Sequence, residues 1–515
     1  MKNVEDRAHP RPGNRPALAT QYYTALAATM GGLAMGVIVG YSSPAGPLLL
    51  GSTSDGYPAG PLLGNITDRP HTTTSSDVQP QNRTTTETLQ LSQEEYNWFS
   101  SSVNIGGAAG GLVGGVMIST LGRRATMMLS VLPYLAGWAL IAGGQNVLML
   151  VAGRVITGVC MGVTCTAVPT YIGEFASADI RGTLGSGFQV MVTLGILLVY
   201  VVGAALCSWR WLAVVCTIPT LIYILMLAFT KESPSFLLSQ GRDEEAKASL
   251  QYFRGGHYNV QEELSMIKGA VAEAKLKKAS LREMAKPHNL KPLVICLAIL
   301  FFAQSSGITP LLFNMAIVFK DSGSSVTENA SVAIIAGVQV LATVVGALLM
   351  DQAGRRLLLA VSSALMSLCM VSLGGYCYMK EIDAVWTVEV LGWLPLVALV
   401  VFIAAYSVGF GPTVWVLMGE LFSPEVKDAS ASLAMMVNWT ASFIVTLTFL
   451  PLQTALGDYS AYWLFGGMCL AALVFTILLV PETKGKTLQE ITAHFGGPAA
   501  QDSHCQQPRE SLPLV

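Results

Sequence analysis

The sequence predicts an all-α membrane protein of twelve transmembrane helices arranged as two related six-helix halves. Three observations carry this. Only 12 % of the 515 residues are charged, 52 % are apolar, and the mean hydropathy is +0.53, whereas an average soluble domain carries roughly 25 % charge. The apolar residues fall into runs of about 20, the length that crosses a hydrocarbon core. Short charged motifs then recur in the same order in the two halves of the chain.

The runs place spans near 22–44, 97–118, 125–143, 147–172, 183–206, 210–229, 293–318, 330–350, 357–379, 391–418, 429–451 and 460–480. They are rich in small residues, as in Gly106-Gly107-Ala108-Ala109-Gly110-Gly111, which let helices approach closely in lipid. The tail 1–21 precedes a half at 22–230. A charged helical linker at 231–292, a second half at 293–485 and a tail at 486–515 follow. A net charge of −2 points to no nucleic-acid partner. The nine cysteines mostly sit inside apolar runs, so neither a disulfide framework nor a metal site is expected. The lipid bilayer is the expected surrounding and no cofactor is expected; nothing in the chain calls for more than a monomer.

Lys and Arg in short loops orient the chain. Arg123 and Arg124, Arg181, Arg355 and Arg356, and three arginines of the N-tail all share one side if both termini are cytoplasmic. The polar loop 45–95 then faces outward or into a lumen. It carries the sequons Asn65-Ile66-Thr67 and Asn82-Arg83-Thr84, and Asn329-Ala330-Ser331 falls in a second such loop. These asparagines are the glycosylation candidates. Asn438-Trp439-Thr440 has the pattern too, but lies in a span.

Gly122-Arg123-Arg124 recurs as Gly354-Arg355-Arg356, Glu174 with Arg181 recurs as Glu420 with Lys427, and Glu232-Ser233-Pro234 recurs loosely as Pro481-Glu482-Thr483. Two related halves around a midplane site is a transporter architecture. Arg123, Arg124, Arg181, Arg355 and Arg356, with Glu174 and Glu420, are candidate gating groups. Arg–carboxylate pairs at span ends would lock one state and part in the other. The plainer reading of the arginines is positive-inside anchoring.

Together with Gly153-Arg154, Pro169-Thr170-Tyr171-Ile172-Gly173-Glu174 and Pro481-Glu482-Thr483-Lys484-Gly485, these motifs resemble the sugar-porter family of the major facilitator superfamily over about 22–490. Gly307-Ile308-Thr309-Pro310 and Trp209-Arg210-Trp211 are most similar to class III facilitative glucose transporters, with insect trehalose facilitators close. The resemblance implies a major facilitator fold, a hexose-type sugar as substrate and no enzymatic activity. It leaves plasma and endolysosomal membranes both open.

A sugar site wants uncharged amides and hydroxyls with an aromatic face. Gln189, Gln304, Thr309, Gln339, Trp415 and Asn438 are the candidates inside spans. The resemblance implies sugar contacts for Gln189, Gln304, Trp415 and Asn438. Four positions depart from the family pattern: Ala303 stands for a Gln, Thr309 and Gln339 each for an Asn, and Ser407 for a Glu. Proton-coupled relatives carry an Asp in span one, where this chain has Ile38, and Arg154 is the ionisable residue well inside the spans. Uniport is therefore expected. A proton symporter or a non-transporting sugar sensor are the alternatives.

Overall fold

A computed structural model describes residues 18–51, 89–177, 180–206, 208–276, 284–315, 328–422, 426–484 and 495. Among them, twelve helices are long and apolar enough to cross a membrane. The first half holds spans one to six, Leu18–Leu49, Gln93–Thr120, Arg123–Ala142, Val147–Phe175, Arg181–Ala205 and Trp209–Ala228. The second holds spans seven to twelve, Pro287–Phe313, Val332–Met350, Arg355–Ile382, Leu394–Leu421, Ala429–Leu456 and Asp458–Leu479. Helices outrun the apolar stretches at several ends. Span seven starts at Pro287, a residue suited to a first helical turn. Asn329, expected in a loop, sits in the first turn of the helix Glu328–Ala353. Asn65 and Asn82, residues 1–17 of the first tail, all of the second except 495, and the side chain of Lys427 lie outside the described residues.

The internal repeat is visible as packing. Span two packs on four, one on five and three on six; span eight packs on ten, seven on eleven and nine on twelve. The most extensive contacts between the halves are two with eleven and five with eight, and these interchange when the halves are swapped. Small residues permit the closest approaches. A Cβ on Gly106 would stand 2.1 Å from the Val155 carbonyl, and one on Gly158 would stand 2.1 Å from the Val103 carbonyl. The backbones of spans two and four are therefore in contact, which favours dispersion where lipid supplies no hydrophobic drive.

The linker forms helices at Pro234–Ser239, Asp243–Arg254 and Gln261–Leu276. It docks under span four. Phe253 stacks on Phe175 with centroids 4.8 Å apart. Buried Arg254 donates to the Phe175 carbonyl at 2.8 Å and pairs with Glu263 at 2.6 Å. That contact fastens the linker to the end of span four that carries Glu174.

Candidate functional site

The recurring charged motifs build the same device twice. Gly122 and Gly354 hold φ of +100° and +89°, a region L side chains avoid. Each turn aims the next backbone N–H groups at a carboxylate. Arg123, Arg124 and Ala125 donate to Glu232 at 3.0, 3.1 and 3.2 Å; Arg355 and Arg356 donate to Glu482 at 3.1 and 3.2 Å. A carboxylate there satisfies orphan amides and meets the positive end of the helix dipole. Neither glutamate had been assigned a role from the sequence; its recurrence in the repeat was the available signal.

The first arginine of each motif reaches sideways within its own half. Arg123 donates through Nε and Nη2 to Glu174 Oε1 at 3.1 and 2.7 Å, and through Nη1 to the Ile118 carbonyl at 3.0 Å. Arg355 repeats this with Glu420 at 3.0 Å and the Met350 carbonyl at 3.1 Å. The second arginine goes elsewhere. Arg124 donates to the Leu227 and Ala228 carbonyls at 3.2 and 3.1 Å, at the end of span six, and Arg356 donates to Ile477 at the end of span twelve. Arg181 is exposed and donates to the Ala176 carbonyl at 3.2 Å. The halves also differ beside the second carboxylate. Ser233 donates to Glu174, whereas Thr483 Oγ1 and Glu420 Oε2 are buried with no partner among the described residues.

The midplane candidates separate into three groups. Span seven breaks at Gly307, φ +86°, between the helices Pro287–Ser305 and Ile308–Phe313. Across the break Thr309 Oγ1 donates to Gln304 Oε1 at 2.8 Å, and Gln304 Nε2 donates to Asn438 Oδ1 at 2.9 Å. Thr309, Gln304 and Asn438 are thus one chain, with Asn438 Nδ2 buried and unpaired at its end.

Span ten breaks at Gly409, and Gly411 and Trp415 follow four residues apart, on one face of the helix Phe410–Leu421. A Cβ on Gly411 would lie 4.0 Å from Gln189 Nε2. Gln189 of the first half therefore looks onto the Gly411–Trp415 face of the second. Gln339 on span eight has a buried Oε1 with no partner among the described residues. Ser407 Oγ and Thr413 Oγ1 are also buried and unpaired beside the span-ten break. Such groups call for a ligand or water to complete them, and a polyhydroxylated ligand supplies both donors and acceptors.

Arg154 and Asn104 are buried polar residues outside these groups. Arg154 is fully buried, donates to the Ile38 carbonyl at 2.9 Å and to Ser42 Oγ at 2.7 Å, and lies 5.2 Å from the Phe99 ring centroid. Asn104, absent from the sequence-based candidates, is fully buried on span two with neither amide atom paired. It shares the helix face of Gly107, where a Cβ would stand 3.0 Å from Trp439 of span eleven.

Twelve spans in two repeated halves, with unpaired polar groups gathered at their breaks, define a membrane transporter of the major facilitator fold. The family profile described as "Sugar (and other) transporter" matches residues 49–495, and the chain belongs to that family. Similar curated proteins include the "Facilitated trehalose transporter Tret1" of Apis mellifera ligustica, 37 % identical over 81 % of this chain and 83 % of its own length. The protein of that name from Drosophila erecta is 36 % identical over 95 % of this chain, which spans 53 % of that longer relative. These relatives are named as transporters, not enzymes. Among solved structures, the proton:xylose symporter XylE bound to 6-bromo-6-deoxy-D-glucose superposes with a TM-score of 0.73 at 24 % identity, covering 93 % of this chain and 99 % of that one. A partially occluded inward-open form of XylE from E. coli gives 0.70 at 25 % identity, covering 91 % and 100 %. The chain is therefore a sugar transporter of the major facilitator superfamily.

Proposed function

We propose that this sugar transporter is a uniporter that carries a hexose, or a disaccharide built of hexoses, down its gradient by alternating access. The arginine-rich end is cytoplasmic in this reading. Gln189, Gln304, Asn438 and Trp415 contact the sugar, with Thr309 and Gln339 beside them. The amides bind hydroxyls and the indole covers the C–H face of a ring. The trehalose facilitators among the relatives support extending the substrate class to the disaccharide.

One observation carries the uniport reading. Ile38, at the position where proton-coupled relatives place an acid, meets Arg154 through its backbone carbonyl. An ion-coupled carrier needs a titratable group in the membrane, and this position has an aliphatic side chain, so that Arg154 meets a backbone carbonyl in place of a carboxylate. The Arg123–Glu174 and Arg355–Glu420 pairs each lie within one half. As gating groups they stiffen a half and set the ends that part, rather than bolting the halves to each other.

The test is sugar movement in sealed proteoliposomes holding the purified chain. Labelled glucose and trehalose should equilibrate and go no further under an imposed proton gradient. Accumulation that an uncoupler abolishes would replace uniport by symport. Binding without flux would favour the sensor.

A further inference from the structure

Among the described residues span seven closes with the short helix Ile308–Phe313, whose last two carbonyls face donors from the other half. Asn314 N–H returns to the Pro310 carbonyl at 3.0 Å. An unsatisfied carbonyl away from water is costly. Two phenols from the other half reach the carbonyls of Leu312 and Phe313. Tyr200 Oη of span five donates to the Leu312 carbonyl at 2.9 Å. Tyr96 Oη of span two lies 2.9 Å from the Ser42 carbonyl and 3.4 Å from that of Phe313. Its single proton goes mainly to Ser42 and only weakly across the seam. Both tyrosines are buried, Tyr96 at 0 % and Tyr200 at 3 % exposure.

We infer that Tyr200 and Tyr96 latch the two halves shut at the end away from the arginines, by donating to the terminal carbonyls of the second part of span seven. The inference rests on the transport reading above, since a latch matters only if that end must open. Ser42 and Arg154 are positioning residues for it. Arg154 holds Ser42 Oγ at 2.7 Å, and Ser42 in turn fixes the Tyr96 hydroxyl. The acceptors follow Thr309 by three and four residues on one short helix, so the midplane polar chain and the latch turn as one body about Gly307. The latch is a contact made across the halves at one end only of the described spans, as alternating access requires of a state-specific contact.

Tyr200→Phe and Tyr96→Phe remove the hydroxyls and keep the rings, so packing survives. Unlatching raises the share of carrier open on that side. The half-saturation for sugar influx should fall and that for efflux rise, each by about five-fold for Tyr200→Phe and about two-fold for Tyr96→Phe. A merely structural role would lower the amount of folded carrier and leave both values alone. A second measurement needs no flux: amide exchange over 308–315 in the purified chain should quicken by similar factors. Unchanged half-saturations with unchanged exchange, in variants that melt like the parent, would overturn the latch. A parent chain that moves no sugar would refute the transport reading, and the exchange measurement would still judge the latch.

Discussion

Arg154 donates to the backbone carbonyl of Ile38 at 2.9 Å, and among the described residues no carboxylate pairs with it. The guanidinium is balanced by dipoles instead. A carbonyl, the Ser42 hydroxyl and the faces of Phe99 and Tyr41, at 5.2 and 5.9 Å, surround it. A buried cation held this way depends on its fork of donors as much as on its charge.

Arg154→Met should therefore destabilise the first half. It leaves the Ser42 hydroxyl and the Ile38 carbonyl unpartnered, at a cost of about 1–3 kcal/mol per stranded group. Arg154→Lys should recover only part of this, because an ammonium cannot reproduce the planar fork or its stacking. Thermal unfolding of the detergent-solubilised protein reads both. A lysine variant as stable as the parent would mean that charge alone matters here.

Glu232→Gln and Glu482→Gln should each lower stability by about 1–2 kcal/mol, the worth of a helix cap with a favourable charge. Glu232 should cost more, because it serves the amides of Arg123, Arg124 and Ala125, whereas Glu482 serves those of Arg355 and Arg356 at the same turn. Equal melting of parent and both variants would show that the carboxylates do not cap these turns.

Glu174→Ala and Glu420→Ala should slow turnover several-fold while changing sugar affinity little. The partnered arginine side chains are only 13 % and 11 % exposed, so losing the carboxylate strands a half-dry cation at a span end remote from the sugar. The comparison is maximal flux against half-saturation. Full turnover in the double variant would reduce the arginines to topological anchors.

Gln189→Ala and Trp415→Ala should weaken sugar binding by about 0.5–1.5 kcal/mol, or roughly two- to ten-fold in half-saturation. Gln304→Ala should be worse, because it also deprives Asn438 and Thr309 of their partners. Normal uptake kinetics in all three would sink the assignment of the midplane site.

Asn65 or Asn82 should carry a glycan, since both lie in the loop assigned to the non-cytoplasmic side. Glycosidase should shift the parent on a gel and leave the double Gln variant where it ran. A tag near residue 75 that is reachable from the cytoplasm would invert the orientation.

The sequence by itself determined the span count, the two-half repeat and the sugar-porter motifs. These are local properties. A run of apolar residues is set by the thickness of the bilayer it crosses, and a motif is read in place. The tertiary structure alone decided who meets whom. Arg124 and Glu174 both sit at span ends in the motif set, yet Glu174 pairs with Arg123 while Arg124 turns to the carbonyls of Leu227 and Ala228. Gln304 and Asn438 are each legible as polar residues in a span, but their hydrogen bond joins positions 134 residues apart. Asn104 and the phenols of Tyr96 and Tyr200 looked like ordinary helix residues until the seam placed them. Packing of small residues sets helix distance and rotation in lipid, and the rotation chooses which polar groups face each other. No period in the chain encodes that choice.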